Sequence, residues 1–379
     1  MNRKQSWNLV TLFLLLIFGF TAASLLKPDT EFSENENRSL AQKPALHWDS
    51  LLDGTFSQEY ETYLTDQFLL RDEWIGLKTQ AERLTFRQEI NDIYFAADDY
   101  LIEKHTGVFE TDQAEANRTF LASFFEKLSA SYDSSHLTAM VVPNAVDILR
   151  DKLPPFASPY DEETYLDQVE STLPEGVWFD ASGVLRQHKE EEIYYRTDHH
   201  WKTLGAFYTF RQWAQEKGLG TVSQADYTVE TVTDSFEGTI ASKVGTKVEP
   251  DTIEVYRPRE ETPYLLTYNQ SDDVRSSVYQ EQFLDTKDKY AVYYGGNYGL
   301  VEASMQSETG RRLLVIKDSY AHCFVPFTMN FFDEVDMLDL RYFNQSLQEY
   351  IEEGDYTDIL FLYNASGFAE DTSLAKLLT

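Results

Sequence analysis

The chain opens with an apolar run from Leu9 to Ala23 (LVTLFLLLIFGFTAA), behind the basic residues Arg3 and Lys4. A positive flank followed by such a run predicts an export signal. Counted through Leu26, the run approaches the ~20 residues that span a bilayer. Ala22-Ala23-Ser24 gives it no clean small-x-small ending, which favours an uncleaved signal anchor over a cleaved signal peptide for residues 1–26. Either alternative places the rest of the chain outside the cytoplasm, and the first ties it to the membrane.

Residues 27–54 are polar, with Pro28, Pro44 and an acidic stretch at 31–36; they read as a stalk or a wrapping segment. From Thr55 to Glu89, Phe56, Tyr60, Tyr63, Leu64, Phe68, Trp74, Ile75 and Leu77 recur at helical spacing. The pattern predicts two amphipathic helices broken near Phe68–Arg71, so 27–90 reads as a stalk plus N-terminal helices. A short β-rich piece follows from Asp92 to Ile102, turning at Asp98-Asp99, and then a helix from about Thr111 to Tyr132.

An α/β rhythm begins at His136–Pro143 (HLTAMVVP), a continuous apolar run of strand length. A helix is expected over Asp161–Leu173, a short strand over Val177–Asp180 and an amphipathic helix over Thr203–Lys217. Residues 221–289 are polar and read as an insertion of short strands and loops. The rhythm returns with Tyr290–Tyr294, Arg312–Ile316, Val335–Leu340 and Ile359–Tyr363. Such runs fit strands buried on both faces of a mostly parallel sheet. The expected fold class is α/β: a three-layer α/β/α sandwich over 91–379, preceded by the anchor and the helical segment.

Hydrophobic residues make up 42% of the chain and aromatics 15%, enough for a sizeable core. The 64 acidic and 32 basic side chains leave a net charge of -32. That field repels phosphate backbones and anionic membrane surfaces, which excludes nucleic acid as a partner. Cys323 is the one cysteine, so no intrachain disulfide holds the fold.

Three strand-end segments carry chemistry. In Tyr195-Arg196-Thr197-Asp198-His199-His200-Trp201 an acid and an imidazole stand two residues apart. They cannot share a helix face, but on a loop they can turn to one point, where the carboxylate fixes the tautomer a general base needs. Leu314-Val315-Ile316-Lys317-Asp318-Ser319-Tyr320 places a serine after a strand and before a helix, at the rim where α/β sheets bind ligands. A helix start offers N–H groups to an oxyanion. Serine needs a base, which His200 can supply. Tyr294-Gly295-Gly296-Asn297-Tyr298 lets the backbone approach a substrate, and Asn297 can donate to the same oxyanion. Singly each has a plainer reading: a helix cap, a turn, or for His199/His200 a metal site. Their joint occurrence at strand ends favours an active site with no metal and no cofactor.

Thr197-Asp198-His199-His200-Trp201 resembles the signature of the DHHW protein family, which is similar to the SGNH-like domain of alginate O-acetyltransferases. Phe32-Ser33-Glu34-Asn35-Glu36-Asn37-Arg38, Asp66-Gln67-Phe68-Leu69-Leu70-Arg71-Asp72, Val142-Pro143-Asn144, Phe236-Glu237-Gly238-Thr239 and Lys317-Asp318-Ser319-Tyr320 resemble further family elements. The resemblance implies an SGNH-hydrolase-like sandwich, with Asp198 as orienting acid, His200 as base and Ser319 as nucleophile. By analogy, Tyr320 and Arg341 line the site; otherwise they are a packed aromatic and a surface charge. Lys317 stands where SGNH hydrolases carry the glycine of a Gly-Asp-Ser block. The resemblance also implies acetyl transfer to a polysaccharide acceptor, from a donor delivered by a membrane-bound O-acyltransferase. An esterase with the same triad, or a non-catalytic glycan-binding protein on this scaffold, are the alternatives.

Overall fold

Residues 3–33, 38–246, 248–260 and 262–379 are described by the computed structural model. Residues Glu34-Asn35-Glu36-Asn37 of the first N-terminal family element lie outside the described residues. The chain falls into two compact units, Met1–Arg87 with Ala241–Lys247, and Gln88–Ile240 with Val248–Thr379.

In the first unit, α1 (Arg3–Leu26) carries an 18-residue stretch, Trp7–Ser24, long and apolar enough to cross a membrane. The helices α2 (Thr55–Asp66) and α3 (Arg71–Leu84) are separated at the expected break, where Leu70 takes a left-handed φ of 56°. Asp66, buried, accepts two hydrogen bonds from the Arg38 guanidinium (2.9 and 2.7 Å) and one from Ala41 N (2.9 Å). Gln67 receives Thr30 N and donates to Thr30 O and Ala41 O. Thr30, Arg38 and Ala41 are thus tied to the end of α2.

The second unit is built on a seven-stranded sheet. Its strands are β1 (Leu137–Val142), β2 (Tyr264–Tyr268), β3 (Val274–Arg275), β4 (Leu300–Met305), β5 (Arg312–Lys317), β6 (Glu334–Leu338) and β7 (Asp358–Asn364), in the order β3-β2-β4-β6-β5-β7-β1. The run β6-β5-β7-β1 is parallel; β4 pairs antiparallel with both β6 and β2, and β3 with β2. Alternation along β5 shows why two further layers form. Leu313 and Val315 join one apolar cluster with Phe207, Phe210 and Trp213, while Leu314 and Ile316 join another with Leu121, Phe125 and Val169. The helix α4 (Asp112–Leu128), capped by the Thr111 side chain, and the helix α5 (Glu162–Glu170) cover the second face; α6 (Thr203–Glu216) covers the first. Each buried Leu or Val contributes about 1.5–3 kcal/mol by leaving water. The result is the expected three-layer α/β/α sandwich.

Local expectations differ in four places. Tyr290–Tyr294 is not a strand: Lys289–Val292 is a 3-10 turn, and Tyr293 makes only an isolated bridge to Tyr279. Its side chains are buried without a ladder, and a short apolar run reads alike in either case. The strand of that region is β4, whose Glu302 and Ser304 break the apolar run. Val177–Asp180 reduces to a single bridge between Trp178 and Ala139. Within 221–289, a hairpin (Tyr227–Phe236 with Asp251–Pro258) stands apart from the sheet, but β2 and β3 extend it. Inward-facing Leu266 and Tyr268 seal that edge, so this half belongs to the core.

Candidate active site

The parallel strands β6, β5, β7 and β1 end at one rim. There Asp318 leaves β5 with its carboxylate turned back into the fold. It accepts hydrogen bonds from Asn364 N (2.8 Å), Asn364 Nδ2 (2.5 Å) and Tyr320 N (2.9 Å). This latch joins the ends of β5 and β7 and presents Ser319 at the rim. Burial pushes the Asp318 carboxyl up to about 6, against the Asn364 N–H. The expected helix after the serine is instead two short 3-10 turns, Ser319–Cys323 and Val325–Asn330. Pro326 at the start of the second lacks the N–H that continued helix would need.

The loop before α6 brings acid and base together. His200 Nδ1 lies 2.6 Å from Asp198 Oδ1, which also accepts the His200 backbone N–H (3.1 Å). The other ring nitrogen, Nε2, lies 2.7 Å from Ser319 Oγ. The remaining oxygen, Asp198 Oδ2, accepts Thr239 N (2.9 Å) and Thr239 Oγ1 (3.2 Å). Gly238 makes this approach possible, since a Cβ there would meet Asp198 Cβ at 2.3 Å. Buried Asp251 holds the loop from below by accepting Arg196 N (3.0 Å), Thr197 N (2.8 Å) and Thr197 Oγ1 (2.7 Å). Trp201 Nε1 donates to Tyr320 O (2.9 Å), tying the loop to the turn that carries the serine.

The electrostatics divide the roles. Burial, then the neighbouring His199, lower the His200 pKa to about 4 despite the opposing Asp198 charge. The imidazole is therefore neutral at neutral pH, and with Nδ1–H on Asp198 its Nε2 lone pair faces the serine. Burial pushes the Asp198 carboxyl upward, but His199, His200 and the hydrogen bonds outweigh it and hold it well below the usual carboxylate range. Asp198, His199 and His200 offer three ligand atoms within 4.8 Å. Both Asp198 oxygens already accept N–H groups and His200 Nε2 faces a hydroxyl, so these donors suit proton chemistry better than a cation.

The other expected residues divide. Tyr320 is fully buried; its hydroxyl donates to His199 O (2.5 Å), so it clamps the loop. Arg341 binds Asp339 through Nε (2.8 Å) and Nη2 (2.6 Å), and its charge bears on His200 and Asp318. Asn297 is exposed and lines a separate cleft; no hydrogen bond among the described residues joins it to the triad. Residues that sequence reasoning left without a site role are Gly238, Thr239, Asp251 and Tyr290. Tyr290 donates to Ser319 O (3.3 Å). Lys317, fully buried, lies 2.9 Å from His322 Nε2 and 3.3 Å from Asp339. Cys323 is buried with Sγ against Tyr320 O (3.7 Å), and burial pushes its thiol up to about 12.

The sequence profile described as DHHW protein matches residues 134–338. Among solved structures, the chain is similar to a DHHW family protein from Eubacterium siraeum DSM 15702, at 25% identity and a TM-score of 0.62 over 76% of this chain and 95% of that one. It is also similar to PatB1 of Bacillus cereus, at 22% identity and a TM-score of 0.59 over 73% of this chain and 97% of that one. A PatB1 structure with a sulfonyl adduct matches at 22% identity and a TM-score of 0.57, over 74% and 98%. The PatB1 likenesses are of fold. No curated protein matches the chain.

Proposed function

The chain belongs to the DHHW protein family, and from that premise we propose that it is a membrane-anchored serine acyltransferase working outside the cytoplasm. Ser319 is its nucleophile, His200 its base and Asp198 the acid that orients the base. The observation that carries this reading is the unbroken hydrogen-bond chain from Asp198 through His200 to Ser319 Oγ.

The chemistry runs in two halves. Ser319 Oγ attacks the carbonyl carbon of an acetyl donor while His200 Nε2 takes the hydroxyl proton. The tetrahedral oxyanion collapses, and the leaving group departs with the proton from His200, leaving acetyl-Ser319. A sugar hydroxyl then attacks the same carbon as His200 takes its proton. The serine oxygen leaves and regains a proton from His200. A positioned base supplies about 10²–10⁴-fold, and each oxyanion donor about 10²–10³-fold. The Ser319 backbone N–H is the donor assigned here. Arg341 adds positive charge at the rim, and Tyr320 keeps the histidine loop in place.

The acceptor is a polysaccharide, and the acetyl donor comes from a membrane-bound O-acyltransferase. The helix α1 supplies the anchor. With water in place of the sugar, the same steps give an esterase.

An aryl-sulfonyl fluoride applied to the detergent-solubilised chain tests the assignment. Covalent labelling mapped to Ser319 and lost in His200→Ala is the expected result. Labelling elsewhere, or labelling of Ser319 that is indifferent to His200→Ala, overturns it.

A further inference from the structure

The Gly-Gly-Asn segment takes no part in the triad, yet it builds something. Asn297 and Tyr298 form one wall of a cleft of about 420 Å³, with Asn269, Tyr342, Asn344 and Gln345 around it. The volume falls within the range of small-molecule sites, about 300–1,000 Å³. Among the described residues none that lines the cleft is charged, although the chain carries 32 basic and 64 acidic side chains. Its polar groups are amides and phenols, set beside the apolar Leu300 and Phe343; amides and phenols hydrogen-bond hydroxyls, and aromatic rings pack against the apolar face of a sugar ring.

The walls are fixed. Tyr298 packs edge-on against Tyr268 with centroids 4.6 Å apart, and its hydroxyl accepts from Arg275 (3.2 Å). Asn269, in the left-handed region at φ 49°, accepts Leu300 N (3.0 Å). At the base the two walls touch backbone to backbone, since a Cβ on Gly299 would lie 2.7 Å from Tyr342 O. Asn297, Tyr342 and Asn344 are exposed, and among the described residues no hydrogen bond engages the side-chain amides of Asn297 and Asn344. These amides are free for a ligand.

The cleft sits on the rim that carries Ser319. Leu300 pairs with Leu338, and Leu338 with Ile316, so the start of β4 lies in one row with the ends of β6 and β5. At about 4.8 Å between strands, the cleft floor lies about 10 Å from the end of β5 along the sheet. We propose that this cleft is a subsite for an uncharged, hydroxyl-rich glycan chain, holding the acceptor beside Ser319; as an acceptor site it rests on the transferase reading above.

Titration of the full Ser319→Ala chain in detergent with cellotetraose and with N-acetylchitotetraose, followed by saturation-transfer NMR and calorimetry, tests it. At least one probe binds in the millimolar range or tighter, and Asn297→Ala/Tyr342→Ala weakens binding by about tenfold or more, roughly 1.4 kcal/mol. Phe156→Ser, at another exposed aromatic, leaves binding unchanged. Failure of both probes to bind, binding indifferent to the double substitution, or tighter binding of tetragalacturonate overturns the proposal. Binding is read without turnover. Labelled Ser319 with no glycan bound sinks the subsite alone; bound glycan with unlabelled Ser319 sinks the transferase alone.

Discussion

Tyr290 lies flat against His200, with ring centroids 3.9 Å apart and planes within 18°. Its hydroxyl reaches past the imidazole to Ser319 O at 3.3 Å. One side chain thus limits the rotation of the base and steadies the turn of the nucleophile. Tyr290→Phe keeps the stack and is expected to cost less than about tenfold in kcat. Tyr290→Ala frees the ring and is expected to cost about 10²-fold, the scale of a small misplacement of a reacting group. Steady-state kinetics on a chromogenic acetyl ester check both.

Removing the nucleophile tests the chemistry most directly. Ser319 lies at the rim, and loss of its hydroxyl leaves the Asp318 latch intact. Ser319→Ala is expected to fold normally and to lose at least about 10⁴-fold in ester turnover, as removal of a triad member does elsewhere. Turnover near the parent rate would remove Ser319 from the mechanism.

Gly238 is a packing requirement at the acid. A methyl group there meets Asp198 Cβ at 2.3 Å, with Asp198 Oδ2 2.5 Å away. Gly238→Ala must displace either Asp198 or the Gly238-Thr239 segment. A loss of about 10²-fold or more in kcat is expected, with a lower Tm; near-parental kinetics would contradict the close approach.

His200 sets a pH limb. Its pKa near 4 lies below its ordinary 6.5. Ester turnover is expected to rise with pH through about 4 and then level off. For stability, the unfolded chain binds a proton between pH 4 and 6.5 that the folded chain does not. This contribution is therefore lost as pH falls through that window. A pH–rate profile centred near 6.5 would argue against a desolvated base.

Glu162 carries the opposite slope. Its carboxylate is buried and accepts Asn144 N at 2.5 Å; burial first, then the Asp147 charge, raise its pKa to about 8 from 4.5. A raised acid stabilises the fold fully below pH 4.5 and loses that contribution as pH climbs through 8. Glu162→Gln, always neutral, is expected to flatten the decline in Tm between pH 5 and 8. Identical Tm–pH curves for parent and variant would show that Glu162 is not the group responsible.

Some of this was legible in the linear chain. The Asp198–His200 pairing could be read because the two residues stand close together on a loop. Ser319 could be read because a buried strand precedes it. The supports could not: Thr239 and Asp251 reach the loop across 41 and 54 residues of sequence, and nothing in their own neighbourhoods marks them. Gly238-Thr239 stood out only as a family element, with its role unseen. A strand over Tyr290–Tyr294 puts Asn297 at a strand end beside the oxyanion; the 3-10 turn at Lys289–Val292 does not. Burial of aromatic side chains leaves the same sequence trace whether or not the backbone joins a ladder. The strand β4 leaves no such trace for the converse reason: Glu302 and Ser304 interrupt its apolar residues.

Cys323 stands four positions beyond Ser319, sealed from solvent, with negligible thiolate at neutral pH. Reaction of a cysteine requires the thiolate and access to it, and this one offers neither. An electrophile indifferent to the choice between thiol and alcohol therefore meets no competing thiol on the folded protein. Adduct mass on the intact chain then reports occupancy of the alcohol directly, with no thiol blocking beforehand.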